Sequence, residues 1–234
     1  MTILGLAHRG YPLKHPENTL RGFRAAVALG FTHLELDVHL SKDGVPVVIH
    51  DPTVNRTTNG VGAVKDYTVS ELVKLDAGDG EFVPTLEEVL LLVKDRMVVD
   101  IELKQTGNEY PGLEAAVIEV IERVEMKHQV FLTSFDHYSI KRAREIDAEI
   151  ELGLVIYGAT PAVFPFMKEI NANYLSLKYV YLTPEFTAEA KKHDIQLIAW
   201  TPDDEDRLSE LKVAYPEVLI CTNNLEGWAK VYKG

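Results

Sequence analysis

The chain has 234 residues, enough for one large domain with a well-buried core, and its 46% hydrophobic and 26% charged content are ordinary globular values that argue against disorder. A net charge of −12 without any Lys/Arg block argues against a nucleic-acid surface, so an anionic substrate would have to be drawn in by local cations or a metal. The single cysteine, Cys221, excludes a disulfide framework, no apolar run approaches the ~18 residues of a membrane span, and Met1-Thr2-Ile3 enters a strand without a signal-peptide block, so the expected compartment is the cytoplasm.

Short apolar runs alternate with segments of helical period almost from end to end. Strands are predicted at 3–8, 32–38, 97–102, 130–134, 150–155, 173–177, 195–200 and 217–221, with helices near 17–29, 85–94, 111–125, 137–146, 161–169, 184–192, 203–213 and 224–232. Asp136, Thr183-Pro184 and Thr201-Pro202 read as helix starts before His137, Glu185 and Asp203. Strand then helix, about eight times over and with strands apolar on both faces, predicts an α/β fold of the (β/α)8 TIM-barrel type rather than a doubly wound open sheet. The chain reads as one barrel domain over residues 1–234.

Two features interrupt the alternation. In "SKDGVPVVIHD" an Asp43-Gly44 turn precedes a further apolar run, 45–49, which predicts a hairpin and an extra strand antiparallel to the second. Residues 52–80 then form a small insertion rich in Thr, Asn, Gly and Asp. An insertion of that length between barrel elements is expected to build or cover a site, and its place straight after His50 makes it a cap for the barrel beside that residue.

Polar residues gather where the strands end. His8, Arg9 and Gly10 close the first strand. In "THLELDVHL", Glu35, Asp37 and His39 alternate with apolar residues and therefore share one face. Two acids side by side on a buried strand need something positive to neutralise them. If Asp43-Gly44 is a two-residue loop, the register sets His50 directly opposite Asp37. A third acid follows in "MVVDIELKQ", where Asp100, Glu102 and Lys104 alternate and the last two lie nearest the C-terminal mouth, the active end of such barrels. A lone histidine closing a strand is more often an ordinary polar residue than a catalyst, and His33, His128 and His193 take no role; His39 is read as peripheral. The conjunction of two histidines, three acids, an arginine and a lysine at adjacent strand ends is what points to a reaction centre.

These stretches resemble the bacterial-type glycerophosphodiester phosphodiesterase family. The resemblance rests on "HRG" at His8 to Gly10, "PENT" at Pro16 to Thr19, "ELDV" at Glu35 to Val38 and "KDGVPVVIHD" at Lys42 to Asp51. It continues with "ELK" at Glu102 to Lys104, "SF" at Ser134-Phe135 and "WT" at Trp200-Thr201, in the family's order along the whole chain. The chain departs from the family's usual pattern at two places. Pro202-Asp203 follows the Trp-Thr motif where Val-Asn is usual, and Thr222-Asn223-Asn224 stands where Thr-Asp usually precedes a proline. Both positions lie outside the acid and histidine set and are expected to bear on substrate contacts rather than on chemistry.

The resemblance implies hydrolysis of glycerophosphodiesters to glycerol 3-phosphate and an alcohol, with Glu35, Asp37 and Glu102 holding one divalent cation. An all-oxygen acid set suits Mg²⁺ or Ca²⁺; zinc would draw His8 or His50 into ligation. Arg9 and Lys104 would grip the phosphodiester, and His8 and His50 would form a general acid and base pair. Gly10 is expected to let the backbone approach the phosphate and Asn18 to order the first loop around it, with Phe135 and Trp200 as apolar walls for the glycerol. The expected partner is a small-molecule glycerophosphodiester, with no nucleic acid, no stable membrane anchoring and self-association left open. A lysophospholipase D or phospholipase C-like phosphodiesterase on the same barrel is the alternative. A membrane substrate calls for an exposed apolar rim or a basic patch, and neither is legible in the sequence.

Overall fold

The computed structural model describes residues 2–234. Eight parallel strands close into a barrel: β1 (Ile3–His8), β2 (Phe31–Leu40), β4 (Val98–Leu103), β5 (Val130–Thr133), β6 (Glu151–Ile156), β7 (Tyr174–Lys178), β8 (Gln196–Trp200) and β9 (Leu219–Thr222). Closure comes from β1, which pairs with β2 on one side and β9 on the other. The predicted (β/α)8 barrel is therefore the fold, and the doubly wound alternative is excluded because each of the eight parallel strands pairs with a parallel neighbour on both sides.

Helices α1 (Leu20–Leu29), α3 (Leu86–Val93), α4 (Leu113–Arg123), α5 (His137–Ile146), α6 (Val163–Glu169), α7 (Pro184–Lys192), α8 (Glu205–Ala214) and α9 (Leu225–Lys233) follow the barrel strands; α2 (Val69–Leu72) is one turn within the insertion. Local chemistry sets their ends. The Thr19 hydroxyl accepts the Gly22 N–H at the start of α1, and Gly30 closes it in the left-handed conformation at φ 85°. Thr85 and Glu88 form a reciprocal capping box on α3, and the Asp136 carboxylate caps α5. The start read at Thr201-Pro202 is displaced: Asp204 caps α8. Asp203 is drawn away from the helix by bonds from Thr222 and Asn223.

The main core lies between the strands and the helix ring, built on residues such as Leu34, Leu36, Val38, Val99, Ile101 and Leu103. A second cluster fills the barrel interior with Leu6, Phe131, Ile198, Leu219 and Cys221. There Tyr174 stacks on Phe131 with centroids 3.9 Å apart. Gly153 makes room for it, since a Cβ there would meet the Cβ of Tyr174 at 2.8 Å. The barrel floor is thus filled, and the barrel interior opens toward the C-terminal end of the strands.

The extra strand β3 (Pro46–Val48) runs antiparallel to the end of β2, as the hairpin signal predicts, but its register differs. Ser41 N–H donates to the Val45 carbonyl at 3.0 Å, so the loop holds three residues, Lys42 to Gly44, with Gly44 at φ 77°. Val38 then pairs with Val48, and the Ile49 N–H donates to the Asp37 carbonyl at 3.0 Å. His50 therefore does not stand opposite Asp37. One added loop residue shifts every cross-strand partner by one.

The insertion carries more structure than its composition suggests. Val54, Val64 and Leu72 pack with Val47 and Ile49 of the hairpin and with Val83 into a small core of their own. This core fastens the insertion to the strand that leads into His50.

Candidate active site

Strand register assembles the site. On β1, β2 and β4, His8 is level with Glu35, Glu35 with Asp100, and Asp37 with Glu102. All point into the barrel because inward positions alternate along each strand. His8, Arg9, Glu35, Asp100, Glu102 and Lys104 line one cavity of about 540 Å³ at the C-terminal mouth, with His50, Phe135, Tyr157 and Trp200 among its other walls. Oxygens of Glu35, Asp37 and Glu102 lie within 4.8 Å of one another.

Asp37 is the electrostatic centre. It is fully buried, with Lys104 Nζ at 3.1 Å, Arg9 Nε at 3.3 Å and the Asn18 amide donating to it at 2.9 Å. Burial works to raise its pKa, but the Lys104 and Arg9 charges outweigh that and hold it well below the usual carboxylate range. Glu35 behaves oppositely. Burial and then the Asp37 charge push its pKa well up, with only partial relief from Arg9. Burial likewise raises Glu102, although Lys104 Nζ donates to it at 2.8 Å, and raises Asp100 well above the ordinary value. Asp37 Oδ1 is buried without a hydrogen bond. Clustered carboxylates of unequal charge and a buried oxygen with spare capacity fit a hard cation held by oxygen donors, and do not require nitrogen or sulfur.

Each histidine is held by Nδ1. His8 faces the Asn223 side-chain oxygen at 2.7 Å and carries Nε2 3.9 Å from Glu35; burial, then the Arg9 charge, lowers its pKa to about 4. His50 Nδ1–H donates to Asp51 at 2.7 Å. His50 reaches the cavity past the end of β3, where His39 Nε2–H donates to its carbonyl oxygen at 3.0 Å. His39, read as peripheral, thus braces the backbone of His50.

A chain of ion pairs joins the first βα loop to the insertion. Arg9 bonds Glu17 at 3.1 Å, Arg56 bonds Glu17 at 2.7 and 2.9 Å, and Arg56 bonds Asp51 at 2.7 and 2.9 Å. The insertion therefore meets the site through Arg56, and through Pro52 in an adjoining groove beside His50.

Arg9, Lys104, Phe135 and Trp200 line the cavity. Asn18 does not: it is 3% exposed, with φ 56° and its amide on Asp37, so it acts on the carboxylate instead of the loop's open side. Gly10 has a packing reason of its own. At φ 85° its missing Cβ would sit 2.9 Å from the backbone of Gly22, so the glycine serves the close approach of α1.

Sequence reasoning missed several neighbours. Asp51 adjoins His50 in sequence, yet nothing local marks it as that ring's partner. The two departures from the family pattern do not lie outside the histidine set: Asn223 bonds His8, and Asp203 bonds Asn223 at 2.7 and 2.8 Å. Nor is the mouth free of an apolar rim. Tyr157 is 72% and Phe135 42% exposed, their rings stack at 5.3 Å, and Trp200 meets Tyr157 edge-on at 5.2 Å. The three aromatics come from three different strand ends, so no periodicity announces them.

The signature of the glycerophosphoryl diester phosphodiesterase family matches residues 8–224. The chain belongs to that family. It is 38% identical over 219 residues to a glycerophosphodiester phosphodiesterase of Caldanaerobacter subterraneus, covering 90% of each chain. It is 33% identical to a putative glycerophosphodiester phosphodiesterase of Bacillus subtilis over 92% of this chain and 96% of that one. A phosphodiesterase of Oleispira antarctica, solved with the product sn-glycerol-3-phosphate, superposes with a TM-score of 0.91 at 26% identity, covering 98% of this chain and 96% of that one. The resemblance read from the motifs of this phosphodiesterase is thereby borne out. No helix among its described residues is long and apolar enough to cross a membrane.

The unequal carboxylates make a testable difference in chelator-treated protein. Glu35→Gln replaces a carboxyl whose ionisation burial and Asp37 already oppose, so the melting temperature is expected to hold or rise. Asp37→Asn removes the one carboxylate that both partly buried cations share, leaving Arg9 to Glu17 and Lys104 to Glu102, and is expected to lower the melting temperature. Thermal melts of the two variants side by side check this; equal shifts would contradict it.

Proposed function

We propose that this chain, as one catalytic domain over residues 1–234, hydrolyses glycerophosphodiesters to glycerol 3-phosphate and an alcohol with one divalent cation, Mg²⁺ or Ca²⁺, held by Glu35, Asp37 and Glu102. The observation that carries the reading is the convergence of two imidazoles, three carboxylates and two cations on one cavity. When bound, the cation neutralises charge on the phosphoryl oxygens. Arg9 and Lys104 grip the same oxygens and stabilise the negative charge that builds there.

In this reading His8 is the base and His50 the acid. Nε2 of His8 takes the proton of the neighbouring glycerol hydroxyl as that oxygen attacks phosphorus. The bond from phosphorus to the departing alcohol breaks, and His50 protonates the alcohol oxygen. Water then opens the cyclic phosphate to glycerol 3-phosphate, with the proton transfers reversed. Asp51 supports the acid role, since a carboxylate 2.7 Å from Nδ1 compensates the charge of a protonated ring. Phe135, Trp200 and Tyr157 would wall the glycerol, and Pro52, beside His50, would border the path of the alcohol. The buried, unpaired Cys221 fits a reducing compartment such as the cytoplasm.

The exposed aromatic rim favours a second reading, a lysophospholipase D acting on a diester that carries an acyl chain. Comparing glycerophosphocholine with lysophosphatidylcholine separates the two. Faster turnover of the lysolipid, lost in Tyr157→Ser, would favour the second; no turnover of the lysolipid would exclude it.

The main reading is tested by coupled detection of glycerol 3-phosphate from glycerophosphocholine. Chelation should abolish turnover, and Mg²⁺ or Ca²⁺ should restore it; turnover that survives chelation would refute the metal. His8→Ala and His50→Ala should each lower kcat by about 10²–10⁴-fold. A substrate whose leaving alcohol is acidic should rescue only His50→Ala, and rescue of His8→Ala instead would reverse the two roles.

A further inference from the structure

The polar groups around Asp203 have only one consistent direction. Its carboxylate can only accept. Oδ1 takes the Thr222 hydroxyl at 2.9 Å and the Asn223 N–H at 2.8 Å, and Oδ2 takes the Asn223 Nδ2–H at 2.7 Å. Because Nδ2 is committed to Asp203, the atom of Asn223 that meets His8 Nδ1 at 2.7 Å is the carbonyl oxygen. A carbonyl oxygen also only accepts, so His8 Nδ1 must carry the hydrogen. Further bonds fix the frame: Asn224 Nδ2 donates to the Asp203 carbonyl oxygen at 2.9 Å, and Asn224 N–H to the Thr222 hydroxyl at 3.0 Å.

We propose that Asp203 and Asn223 are positioning residues that hold His8 as its Nδ1–H tautomer, leaving Nε2 as a lone pair toward the cavity. Asp203 never touches His8. It acts by orienting an amide, and the amide selects the tautomer. The inference rests on the reading of His8 as the proton acceptor, and supplies what that role needs: an unprotonated Nε2 before the substrate arrives.

Asp203→Asn is nearly isosteric, yet it reverses the chain of bonds. The new side-chain oxygen still accepts from Thr222 and from the Asn223 backbone, but its Nδ2 now donates toward Asn223. The Asn223 amide turns over, offers Nδ2–H to His8, and drives the ring hydrogen to Nε2. The expected result is a fall in kcat on the order of 10²–10⁴-fold, the cost of a misplaced general base, with KM little changed. Asn223→Asp alone sets two carboxylates face to face and is expected to be slow as well. The double exchange, Asp203→Asn with Asn223→Asp, restores a consistent set: the new carboxylate accepts from both His8 Nδ1–H and the new amide. Its kcat should recover to within about tenfold of the parent, a non-additivity that independent structural damage would not produce.

Nitrogen-15 NMR of the full-length protein with labelled histidine reads the tautomer directly. Nε2 should be the unprotonated ring nitrogen of His8 in the parent and in the double exchange, and Nδ1 in Asp203→Asn. A parent with hydrogen on Nε2 overturns the proposal whether or not any variant folds. So does Asp203→Asn with parental kcat, or a double exchange no faster than its slower single. His8→Ala is the control: full turnover there refutes the base role itself, whereas loss of turnover in His8→Ala with a fully active Asp203→Asn refutes only the positioning chain.

Discussion

Four carboxylates share the mouth of this barrel, and the way their charge is compensated shapes everything around them. Glu35, Asp37, Asp100 and Glu102 lie on two adjacent strands with registers that bring them level in pairs. Two buried-side cations answer them, Arg9 from the end of β1 and Lys104 from the end of β4, and both reach Asp37. One acid is therefore strongly anionic while its neighbours are held toward the neutral form by burial and mutual repulsion. A cluster so imbalanced attracts positive charge, and its oxygens, within 4.8 Å of one another, fit a hard cation. Packing of the barrel below supplies the rigidity. With Phe131 and Tyr174 stacked beneath the site, the carboxylates have nowhere to retreat.

The two histidines reach the same cavity by different structural routes. His8 rides on the first barrel strand and leans on the last βα loop through Asn223, so the closure of the barrel between β1 and β9 is also what orients its ring. His50 sits past the end of an added strand. It is steadied by the carbonyl bond from His39, by Asp51, and by Arg56 of the insertion, which itself is anchored by Glu17. One ring meets an amide and the other a carboxylate. That asymmetry gives two chemically identical side chains different electrostatic surroundings, the condition that the proposed division of labour between a base and an acid needs. The insertion contributes to this arrangement as well, because its small core fixes the segment that carries Arg56 beside His50.

The sequence by itself determined the barrel, the added hairpin strand, and the charged row of Arg9, Glu35, Asp37, Glu102 and Lys104 at the strand ends. Period-two alternation and apolar runs are local properties, and the inward row of Glu35, Asp37 and His39 follows from strand geometry alone. The hairpin register could not be read in the same way, because a two-residue and a three-residue loop are both compatible with Lys42-Asp43-Gly44, and one residue moves His50 off its expected partner. Tertiary structure alone decided what each functional group touches. Asn223 lies 215 positions from His8, Arg56 lies 39 from Glu17, and the rim of Phe135, Tyr157 and Trp200 is drawn from three separate strand ends. Hydrogen-bond partners and charge compensation depend on distance in space, and a chain folded into a closed barrel brings its ends together in a way that no local pattern records.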